Sequence, residues 1–289
     1  NNRRVGVNLE ADKRKNGYCW DSLFTNNTLN LEKLENNLNV HKSWKEFLAT
    51  NIEILQEVID EIRTEDCAPL EPEKILRFLQ QDLSKINVII LGQDPYPYLN
   101  FATGRAFEVG NISTWKGLAD TSLKRKGTSL QKIVICIYRN VTGDKNIDNY
   151  SEVLKKIEDK TFKISPPKPW FDSLEEQGVL FLNTSFTCKL GGKANSHKNI
   201  WNKKNNGFTQ KLLNFINQKN PTIQWFTWGN AAKKLVDKKV LGIDKALIFR
   251  SYHPAATSIH INNEDHFLNF KGFCLWQDKR TYNCSPKVH

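Results

Sequence analysis

The chain has 289 residues, of which 39% are hydrophobic and 25% are charged, and this is enough to bury the core of one large domain. Lysine and arginine number 42 against 31 aspartates and glutamates, so the formal net charge is +11, which favours a polyanionic partner over a generically basic surface. No apolar run approaches the roughly 18 residues of a membrane span, and the N-terminal region lacks an apolar signal segment, so we expect neither a membrane protein nor a secreted one.

Polar residues dominate the start of the chain, and we interpret residues 1–42 as an N-terminal extension that packs loosely. The main domain is predicted over residues 43–275 and a C-terminal tail over residues 276–289. A capping box of Ser43 and Glu46 should begin the first helix. Apolar residues at helical spacing predict helices from Ser43 to Ile62, Glu71 to Leu83, Ser129 to Val141, Ser151 to Asp159, Gly207 to Lys219 and Asn230 to Lys239.

Four short apolar runs predict strands that are buried on both faces. They run from Asn87 to Leu91, Gly178 to Asn183, Thr222 to Trp228 and Ala246 to Tyr252. The strands alternate with helices, as they do in a parallel sheet. The fold class is therefore predicted to be α/β, a single domain with a central four-stranded parallel sheet flanked by helices.

The first strand ends in the segment Gly92 to Pro97, GQDPYP, where two prolines stop the strand and stiffen the loop. Open α/β sheets bind ligands at the carboxyl ends of their strands, which is where Asp94 stands. The second strand ends on Asn183, and the fourth leads into His253 and Pro254. Each of these residues alone could be a turn or capping residue, but together Asp94, Asn183 and His253 are predicted to face one cleft.

Two segments are candidates for contact with phosphate groups. Ser129 opens a helix, where a hydroxyl and free backbone N–H groups suit a phosphate, although a plain helix cap is an equally good interpretation. The loop from Asn195 to Lys198, NSHK, lies in a stretch rich in Gly, Asn and Lys. It is either a solvated loop or one in which Ser196 and Lys198 contact phosphate and His197 supports them.

The cysteines indicate reduced thiols rather than a metal site. They are scattered without a C-x-x-C pair, and no cluster of His, Cys and Asp has ligand spacing, so we expect no metal, no iron–sulfur cluster and no other cofactor. A cytoplasmic location is the simplest interpretation, with the nucleus or a viral replication site as the alternative. The cysteines are Cys19, Cys67, Cys136, Cys188, Cys274 and Cys284.

Four motifs, in their order and separation, resemble those of the uracil-DNA glycosylases of the main, metal-free family. They are GQDPYP at Gly92 to Pro97, LNTSFT at Leu182 to Thr187, NSHK at Asn195 to Lys198 and YHPAA at Tyr252 to Ala256. The resemblance runs from about Trp44 to about Phe270. It implies an enzyme that flips deoxyuridine out of single- or double-stranded DNA and hydrolyses its N-glycosidic bond, which leaves an abasic site for base excision repair.

The resemblance also implies a role for each matching residue. Asp94 would position or deprotonate the attacking water and offset positive charge on the sugar, and His253 would donate a hydrogen bond to uracil O2. Tyr96 would crowd C5 and exclude thymine, and Phe107, whose position alone suggests a core residue, would stack on the base. The predicted uracil-binding residues are Gln93, Tyr96, Phe107 and Asn183. The predicted DNA-binding residues are Pro97, Ser129, Ser196, Lys198, Pro254, Ala255 and Thr257.

Two departures from the family pattern affect the predicted contact with DNA. The segment from Gly110 to Gly127 lacks the prolines of the family's DNA-compressing segment. At the position of the usual leucine wedge stands Thr257, in an HPAA variant that poxvirus uracil glycosylases also carry. Because a threonine buries less apolar area than a leucine, it should stabilise the gap left by the flipped base less.

Other functions are compatible with these residues. A DNA-binding or replication-processivity module on the same fold, with secondary catalysis, is consistent with the polar extension and the missing wedge. A metal-dependent hydrolase using Asp94 and His253 lacks a third ligand. No lysine stands at the Asp94 position, so a Schiff base and strand cleavage are not expected. We expect a monomer whose partners are uracil-containing DNA and, in addition, a protein inhibitor or a replication factor, without membrane association.

Overall fold

The computed structural model describes residues 20–120, 128–203 and 206–255. The strands of these residues are β1 (Phe24–Thr25), β2 (Thr28–Leu29), β3 (Cys67–Ala68), β4 (Val88–Gly92), β5 (Val179–Asn183), β6 (Cys188–Lys189), β7 (Gln224–Trp228) and β8 (Ile248–Ser251). The α-helices are α1 (Leu31–Asn37), α2 (Lys45–Ile62), α3 (Pro72–Ile75), α4 (Thr128–Thr142), α5 (Tyr150–Glu158), α6 (Pro167–Glu176), α7 (Lys198–Trp201), α8 (Phe208–Lys219) and α9 (Asn230–Lys239).

A parallel sheet in the strand order β5-β4-β7-β8 forms the centre of the molecule. Gly92 of β4 lies beside Asn183 of β5, and Trp228 of β7 lies beside Ser251 of β8. The carboxyl ends of the four strands therefore meet at one edge of the sheet. The predicted α/β fold with four parallel strands is confirmed, and the observed strand ends lie within two residues of the predicted ones.

Successive side chains of β4 pack alternately into two hydrophobic cores, one on each face of the sheet. Ile89 and Leu91 belong to the core that α2, α8 and α9 cover, whereas Val88 and Ile90 belong to the core that α4, α5 and α6 cover. This is the period of two of an extended chain. Burying one such side chain stabilises the fold by roughly 1.5–3 kcal/mol, so the sheet is held firmly between two helical layers. The loops at its carboxyl edge consequently start from fixed positions.

The apolar side chains of residues 20–41 pack into the core, so the expectation that the N-terminal extension packs loosely is wrong for this part of it. Leu34 of α1 is fully buried in the same core as α2. The backbone N–H of Leu29 in β2 donates to Oε1 of Gln56 in α2, at 3.1 Å. Residues 1–19 lie outside the described residues. The boundaries of the extension, the main domain and the tail stay predictions.

The capping box predicted at the first long helix does not form. The side-chain oxygen of Ser43 accepts a hydrogen bond from the backbone N–H of Leu83 at 3.0 Å, and α2 begins at Lys45. Glu46 instead forms an ion pair with Lys219 at 2.6 Å. A contact from a distant part of the chain has therefore displaced the local cap, which is a common reason for local patterns to fail.

The helix predicted from Glu71 to Leu83 is limited to α3. Leu76 leaves helical geometry, with φ −105° and ψ 29°, and 3-10 turns follow at Arg77–Gln80 and Leu83–Lys85. The turns bury Phe78 and its apolar neighbours in the core, which compensates for the lost helical hydrogen bonds. The other predicted helices are present with small shifts at their ends. Among the described residues, no helix combines the length and apolarity that crossing a bilayer needs.

Candidate active site

A cavity of about 360 Å³ opens at the carboxyl edge of the sheet. The loop after β4, the end of β5, the start of α4 and the residue His253 after β8 all contribute to its wall. This convergence is what the strand-end argument predicts, and the chemical roles of the residues stay predictions. The predicted site residues that line the cavity are Gln93, Asp94, Tyr96, Pro97, Phe107, Ser129, Asn183 and His253. Lining residues that the sequence reasoning did not select include Arg105, Glu108, Cys188 and Lys193.

Asp94 is held by one carboxylate oxygen and leaves the other available. Its Oδ2 accepts hydrogen bonds from Nε2 of Gln93 at 3.0 Å and from the backbone N–H of Asn195 at 2.8 Å. Its Oδ1 is buried and has no hydrogen-bond partner among the described residues. The loop is fixed to the chain after β5, because the carbonyl of Gln93 accepts hydrogen bonds from Thr184 and Ser185. A buried oxygen without a donor is unfavourable, so Oδ1 is where a water or ligand donor would bind.

Asn183 projects a buried amide from the last position of β5. Its Oδ1 has no hydrogen-bond partner within the part of the chain that the structure describes. Gly92 lies beside it in the sheet, and a Cβ atom at that position would lie 2.5 Å from this oxygen. Position 92 therefore needs a glycine for the amide to keep its place. An amide offers both a donor and an acceptor, which suits a ligand edge that carries one of each.

Phe107 forms an aromatic wall of the cavity. Its backbone is left-handed, with φ 66°, a conformation that costs a non-glycine residue roughly 1–2 kcal/mol. The side chain is 8% exposed, and its ring centroid lies 5.3 Å from that of Trp228 and 6.0 Å from that of His253. A flat apolar ring at a cavity wall suits stacking on a planar ligand. Backbone strain of this kind persists only where the surroundings enforce it.

A buried ion cluster on both sides of Phe107 provides this restraint. The Arg105 cluster consists of Arg105, Glu108, Asp172 and Glu175. The guanidinium of Arg105 donates to Glu108 at 3.1 Å, to Asp172 at 2.7 Å and to Glu175, and its side chain is 5% exposed. Burial opposes its charge, but the carboxylates of Glu108 and Glu175 outweigh burial and raise the pKa of Arg105. The cluster ties the loop that carries Phe107 to α6.

Burial favours the neutral form of the His253 imidazole, and the backbone sets the tautomer of that form. The N–H of Ala255 donates to Nδ1 at 3.1 Å, so the proton of the neutral ring is on Nε2. Burial lowers the pKa of His253 from its usual value of 6.5. The backbone at Gly229, with φ 93°, packs against the residue, since a Cβ atom there would lie 3.1 Å from Cβ of His253. The ring therefore offers one N–H donor in a fixed position.

We expect NMR to find His253 neutral at neutral pH, with its proton on Nε2. The stability that this neutral ring contributes is fully present above 6.5, the unfolded value, and is lost as the pH falls through the lowered folded-state pKa. Selective 15N labelling of histidine measures both the tautomer and the pKa, and His253→Gln assigns the signal. A folded-state pKa at or above 6.5, or a proton on Nδ1, would contradict this geometry.

The loop that contacts Asp94 is anchored by His197, and its predicted support of phosphate contact stays a prediction. Nε1 of Trp201 donates to the hydroxyl of Thr187 at 2.7 Å, and the oxygen of this hydroxyl lies 2.9 Å from Nδ1 of His197. Nε2 of His197 faces Oε2 of Glu65 at 3.3 Å, and because a carboxylate oxygen only accepts, the neutral ring carries its proton on Nε2 and accepts from Thr187 at Nδ1. Burial is the main cause that lowers the pKa of His197, and Glu65 opposes it. The loop is thus held by a hydrogen-bond chain that runs from Trp201 through Thr187 and His197 to Glu65.

The predicted phosphate-binding residues divide between the cavity and the surface. Pro97 and Ser129 line the cavity, and Ser129 is the second residue of α4, so its position in the first turn fits the helix-start prediction. Ser196 and Lys198 are exposed and lie outside the cavity wall. The hydroxyl of Ser196 accepts a hydrogen bond from the backbone N–H of Lys189 at 2.8 Å, which fixes the loop. Phosphate contact by these residues stays a prediction.

The turn after β8 contains the remaining predicted DNA contacts. Pro254 is buried and Ala255 is exposed, and both follow the imidazole of His253 directly. The hydrogen bond from Ala255 to that ring means that the turn and the imidazole are positioned together. Thr257, the residue predicted at the wedge position, lies outside the described residues, as do residues 121–127 of the loop that lacks the family's prolines.

Three cysteines in the described ranges are buried, and they are Cys67, Cys136 and Cys188. Cys188 lines the cavity, and burial, with smaller contributions from Asp94 and Cys67, raises its pKa to about 12. A thiol with such a pKa is not a nucleophile at neutral pH, so this side chain serves as part of the wall. Across residues 20–120, 128–203 and 206–255, no group of three or more His, Cys, Asp or Glu is placed to hold a metal ion.

Comparison with known proteins identifies the family. A sequence profile of the uracil DNA glycosylase superfamily matches residues 80–271. The uracil-DNA glycosylase of Azotobacter vinelandii is 28% identical over 236 residues, which cover 79% of this chain and 85% of that protein. The uracil-DNA glycosylase of Francisella tularensis subsp. holarctica is 33% identical over 186 residues, which cover 63% of this chain and 67% of that protein. The chain belongs to the uracil DNA glycosylase superfamily.

Solved structures show the same fold. The UNG of Nitratifractor salsuginis has a TM-score of 0.64 and 22% identity, with 82% of this chain and 93% of that chain covered. The mimivirus uracil-DNA glycosylase has a TM-score of 0.53 and 21% identity, with 82% of this chain and 75% of that chain covered. A variant of the mimivirus UNG has been solved in complex with UGI. Family membership confirms the predicted function at this level, a hydrolase of N-glycosyl bonds that excises uracil from DNA in base excision repair.

Proposed function

We propose that this chain binds a flipped deoxyuridine in its cavity and hydrolyses the N-glycosidic bond in the manner of the main, metal-free glycosylases, as a monofunctional enzyme. The observation that carries this proposal is the convergence of Asp94, Asn183 and His253 on one cavity. A carboxylate with an available oxygen, a neutral amide and an imidazole N–H donor are the groups that the reaction needs. The products are free uracil and an abasic site.

Recognition of the base is assigned to the walls of the cavity. The ring of Phe107 stacks on the flipped base, and the amide of Asn183 meets the O4 and N3–H edge of uracil. Cytosine presents the reversed polarity at its amino-bearing carbon and is rejected. Tyr96 lies against C5 of uracil, where the methyl group of thymine would clash. A steric clash discriminates between two substrates more strongly than the loss of a favourable contact does. Burial raises the pKa of Tyr96, so its hydroxyl stays neutral. Gln93 supports the site through Asp94.

His253 supports the departure of uracil as an anion. As the bond breaks, negative charge grows on uracil O2, and Nε2–H of the neutral ring donates a hydrogen bond to it. The ring cannot change tautomer without losing the hydrogen bond from Ala255, so the donor is in place before the reaction begins. A preorganised donor of this kind accelerates a reaction by about 10²- to 10³-fold.

Asp94 supports the attack of water on the sugar. Its Oδ1 accepts a hydrogen bond from the water, and the carboxylate offsets the positive charge that develops on the sugar as uracil leaves. Because the chain has no lysine at this position, water is the nucleophile and the DNA strand stays intact. Every step is carried by side chains of the protein, and none is assigned to a metal ion.

Contact with the DNA backbone is assigned to the rim of the cavity. Ser129 offers a hydroxyl at the N-terminus of α4, and Lys198 offers a positive charge at the exposed start of α7. Further contacts are assigned to Pro97, Ser196, Pro254, Ala255 and Thr257. Because these contacts are electrostatic in part and the net charge is +11, binding should weaken as salt rises. We further propose a monomer that acts in a reducing compartment, with an inhibitor or replication protein as a second partner.

The test is release of free uracil, in EDTA, from oligonucleotides that contain one uracil, with thymine and cytosine oligonucleotides as controls. We expect uracil release, an alkali-labile abasic site in an otherwise intact strand, and no release of thymine or cytosine. A folded chain that binds uracil DNA without releasing uracil would favour the binding-module alternative. Activity that EDTA abolishes and a divalent metal restores would favour a metal-dependent hydrolase.

A further inference from the structure

Tyr252 is an exposed aromatic residue next to the imidazole of the site. It lies between Ser251, the last residue of β8, and His253, and its side chain is 51% exposed. The two neighbours place Tyr252 beside the site, because Ser251 is buried at the end of the sheet and His253 lines the cavity. A large exposed ring beside a binding cavity is a candidate for contact with the ligand.

Lys233 of α9 places its Nζ atom 5.1 Å from the centroid of the Tyr252 ring. The backbone connects this pair to the site, since the N–H of Lys233 donates to the carbonyl of Gly229 at 3.1 Å, and Gly229 packs against His253. The lysine is therefore one helical turn, about 5.4 Å along the axis, from the residue that touches the imidazole. The ring and the cation thus share the carboxyl edge of the sheet with the cavity.

The surface around this pair is positively charged. Arg250 of β8 forms an ion pair with Asp237 of α9 at 2.5 Å, which neutralises the charge of this carboxylate. The positive charges of Lys233 and the exposed Lys234 add to this neutral pair. Proteins that bind single-stranded nucleic acid combine exposed rings, which stack on bases, with cations that follow the phosphates. The edge beside His253 presents this combination.

We propose that Tyr252 and Lys233 form a platform, the Tyr252 platform, for the nucleotide next to the target deoxyuridine on the same strand. The ring stacks on the neighbouring base, and Nζ of Lys233 contacts a phosphate. This rests on the proposed function, because the platform acts only when a flipped deoxyuridine occupies the adjacent cavity. In duplex DNA the neighbouring base is already paired and stacked, so the platform contributes more to binding of single-stranded or frayed DNA.

The kinetic test compares Tyr252→Ala with Tyr252→Phe, which keeps an aromatic ring. Leu241→Ala is the matched control, because this side chain is 75% exposed and lies outside the cavity wall. We expect Tyr252→Ala to raise KM for single-stranded uracil DNA by roughly five- to a hundredfold, with a smaller effect on duplex DNA and little change in turnover number. The other two variants should match the wild type. Lys233→Gln should reduce the steepness of log KM against log salt by about 0.7 on single strands.

A fluorescence measurement tests stacking directly. Oligonucleotides carry 2-aminopurine either 5′ or 3′ of a 2′-fluorinated deoxyuridine, which resists cleavage. At one of these positions, binding should quench the fluorescence for the wild type and Tyr252→Phe but not for Tyr252→Ala. Equal KM values for Tyr252→Ala and Leu241→Ala, with equal quenching, would overturn the platform and leave the proposed function intact. A wild type that releases no uracil would reject the proposed function and the platform with it.

Discussion

Replacing Asp94 with asparagine should lower the turnover number for uracil release by about 10²- to 10⁴-fold and leave binding of uracil DNA nearly unchanged. The amide has nearly the shape of the carboxylate, and its oxygen still accepts the hydrogen bond from the backbone N–H of Asn195, so the loop keeps its geometry. It has no negative charge, however, and neither accepts a proton from water nor offsets charge on the sugar. Because that charge exists only in the transition state, the loss falls on kcat rather than on KM.

Asp148→Asn is the matched control for this experiment, since it removes one negative charge from an exposed residue outside the cavity. Single-turnover kinetics on a fluorescent uracil oligonucleotide separates binding from bond cleavage in both variants. The control should behave as the wild type. A turnover number for Asp94→Asn within about tenfold of the wild type would contradict the assigned role, because that ratio corresponds to only about 1.4 kcal/mol of transition-state stabilisation.

The sheet and the three strand-end residues were predictable because their signals are local. A strand that is buried on both faces is apolar along most of its length, and β4 and β5 are, apart from Asn183 at the end of β5. The prolines of the segment from Gly92 to Pro97 then mark where the first strand stops. Since parallel strands share one carboxyl edge, Asp94, Asn183 and His253 were expected together without knowledge of the helices.

The Arg105 cluster was not predictable, because its partners are distant in the sequence. Arg105 and Glu108 alone read as an ordinary pair on a loop, and nothing near them shows that α6 delivers Asp172 and Glu175, 67 and 70 residues away. The lost cap at Ser43 has the same cause, since the group that takes its hydroxyl is 40 residues further on. Local patterns describe what a segment prefers in isolation, and tertiary contacts override them at such places.

The packing of residues 20–41 is not predictable from composition, for a different reason. Average composition described residues 20–41 as a polar stretch, and a polar stretch predicts loose packing. What matters is where the few apolar side chains point, and here they all face one core while the polar ones face solvent. The buried residues of this segment are Trp20, Leu23, Phe24, Leu29, Leu34 and Leu38.

Arg105→Gln should lower the free energy of unfolding by about 3–5 kcal/mol, because it leaves the buried carboxylate of Glu108 and the partly buried carboxylates of Asp172 and Glu175 without the cation that they share. Arg105 is bonded to Glu108, Asp172 and Glu175 at once, and its side chain is 5% exposed. Arg105→Lys keeps the charge but cannot reach three carboxylates with one ammonium group, so its loss should be smaller and still measurable. Urea unfolding at neutral pH measures both variants.

Most of this loss of stability should come from the charge of Glu108, which Arg105→Gln leaves unpaired. Asp172 has Lys168 as a second cation at 2.8 Å, and Glu175 has Arg77 at 3.6 Å, whereas the Glu108 side chain is 6% exposed beside the guanidinium. Adding Glu108→Gln to Arg105→Gln removes the charge that was left uncompensated. The double variant should therefore be more stable than Arg105→Gln alone, and the two effects should not add.

Activity should fall with stability in this series, because the cluster holds Phe107 in its left-handed conformation. Without this restraint the backbone of Phe107 can release strain of roughly 1–2 kcal/mol, and the stacking ring can leave the cavity. KM for uracil DNA should therefore rise even at temperatures well below that at which the variant unfolds. Arg77→Gln is the control, since the Arg77 side chain is 28% exposed and its ion pair is worth at most about 1 kcal/mol. If Arg105→Gln lost no more stability and raised KM no more than Arg77→Gln, the cluster would be ordinary surface charge.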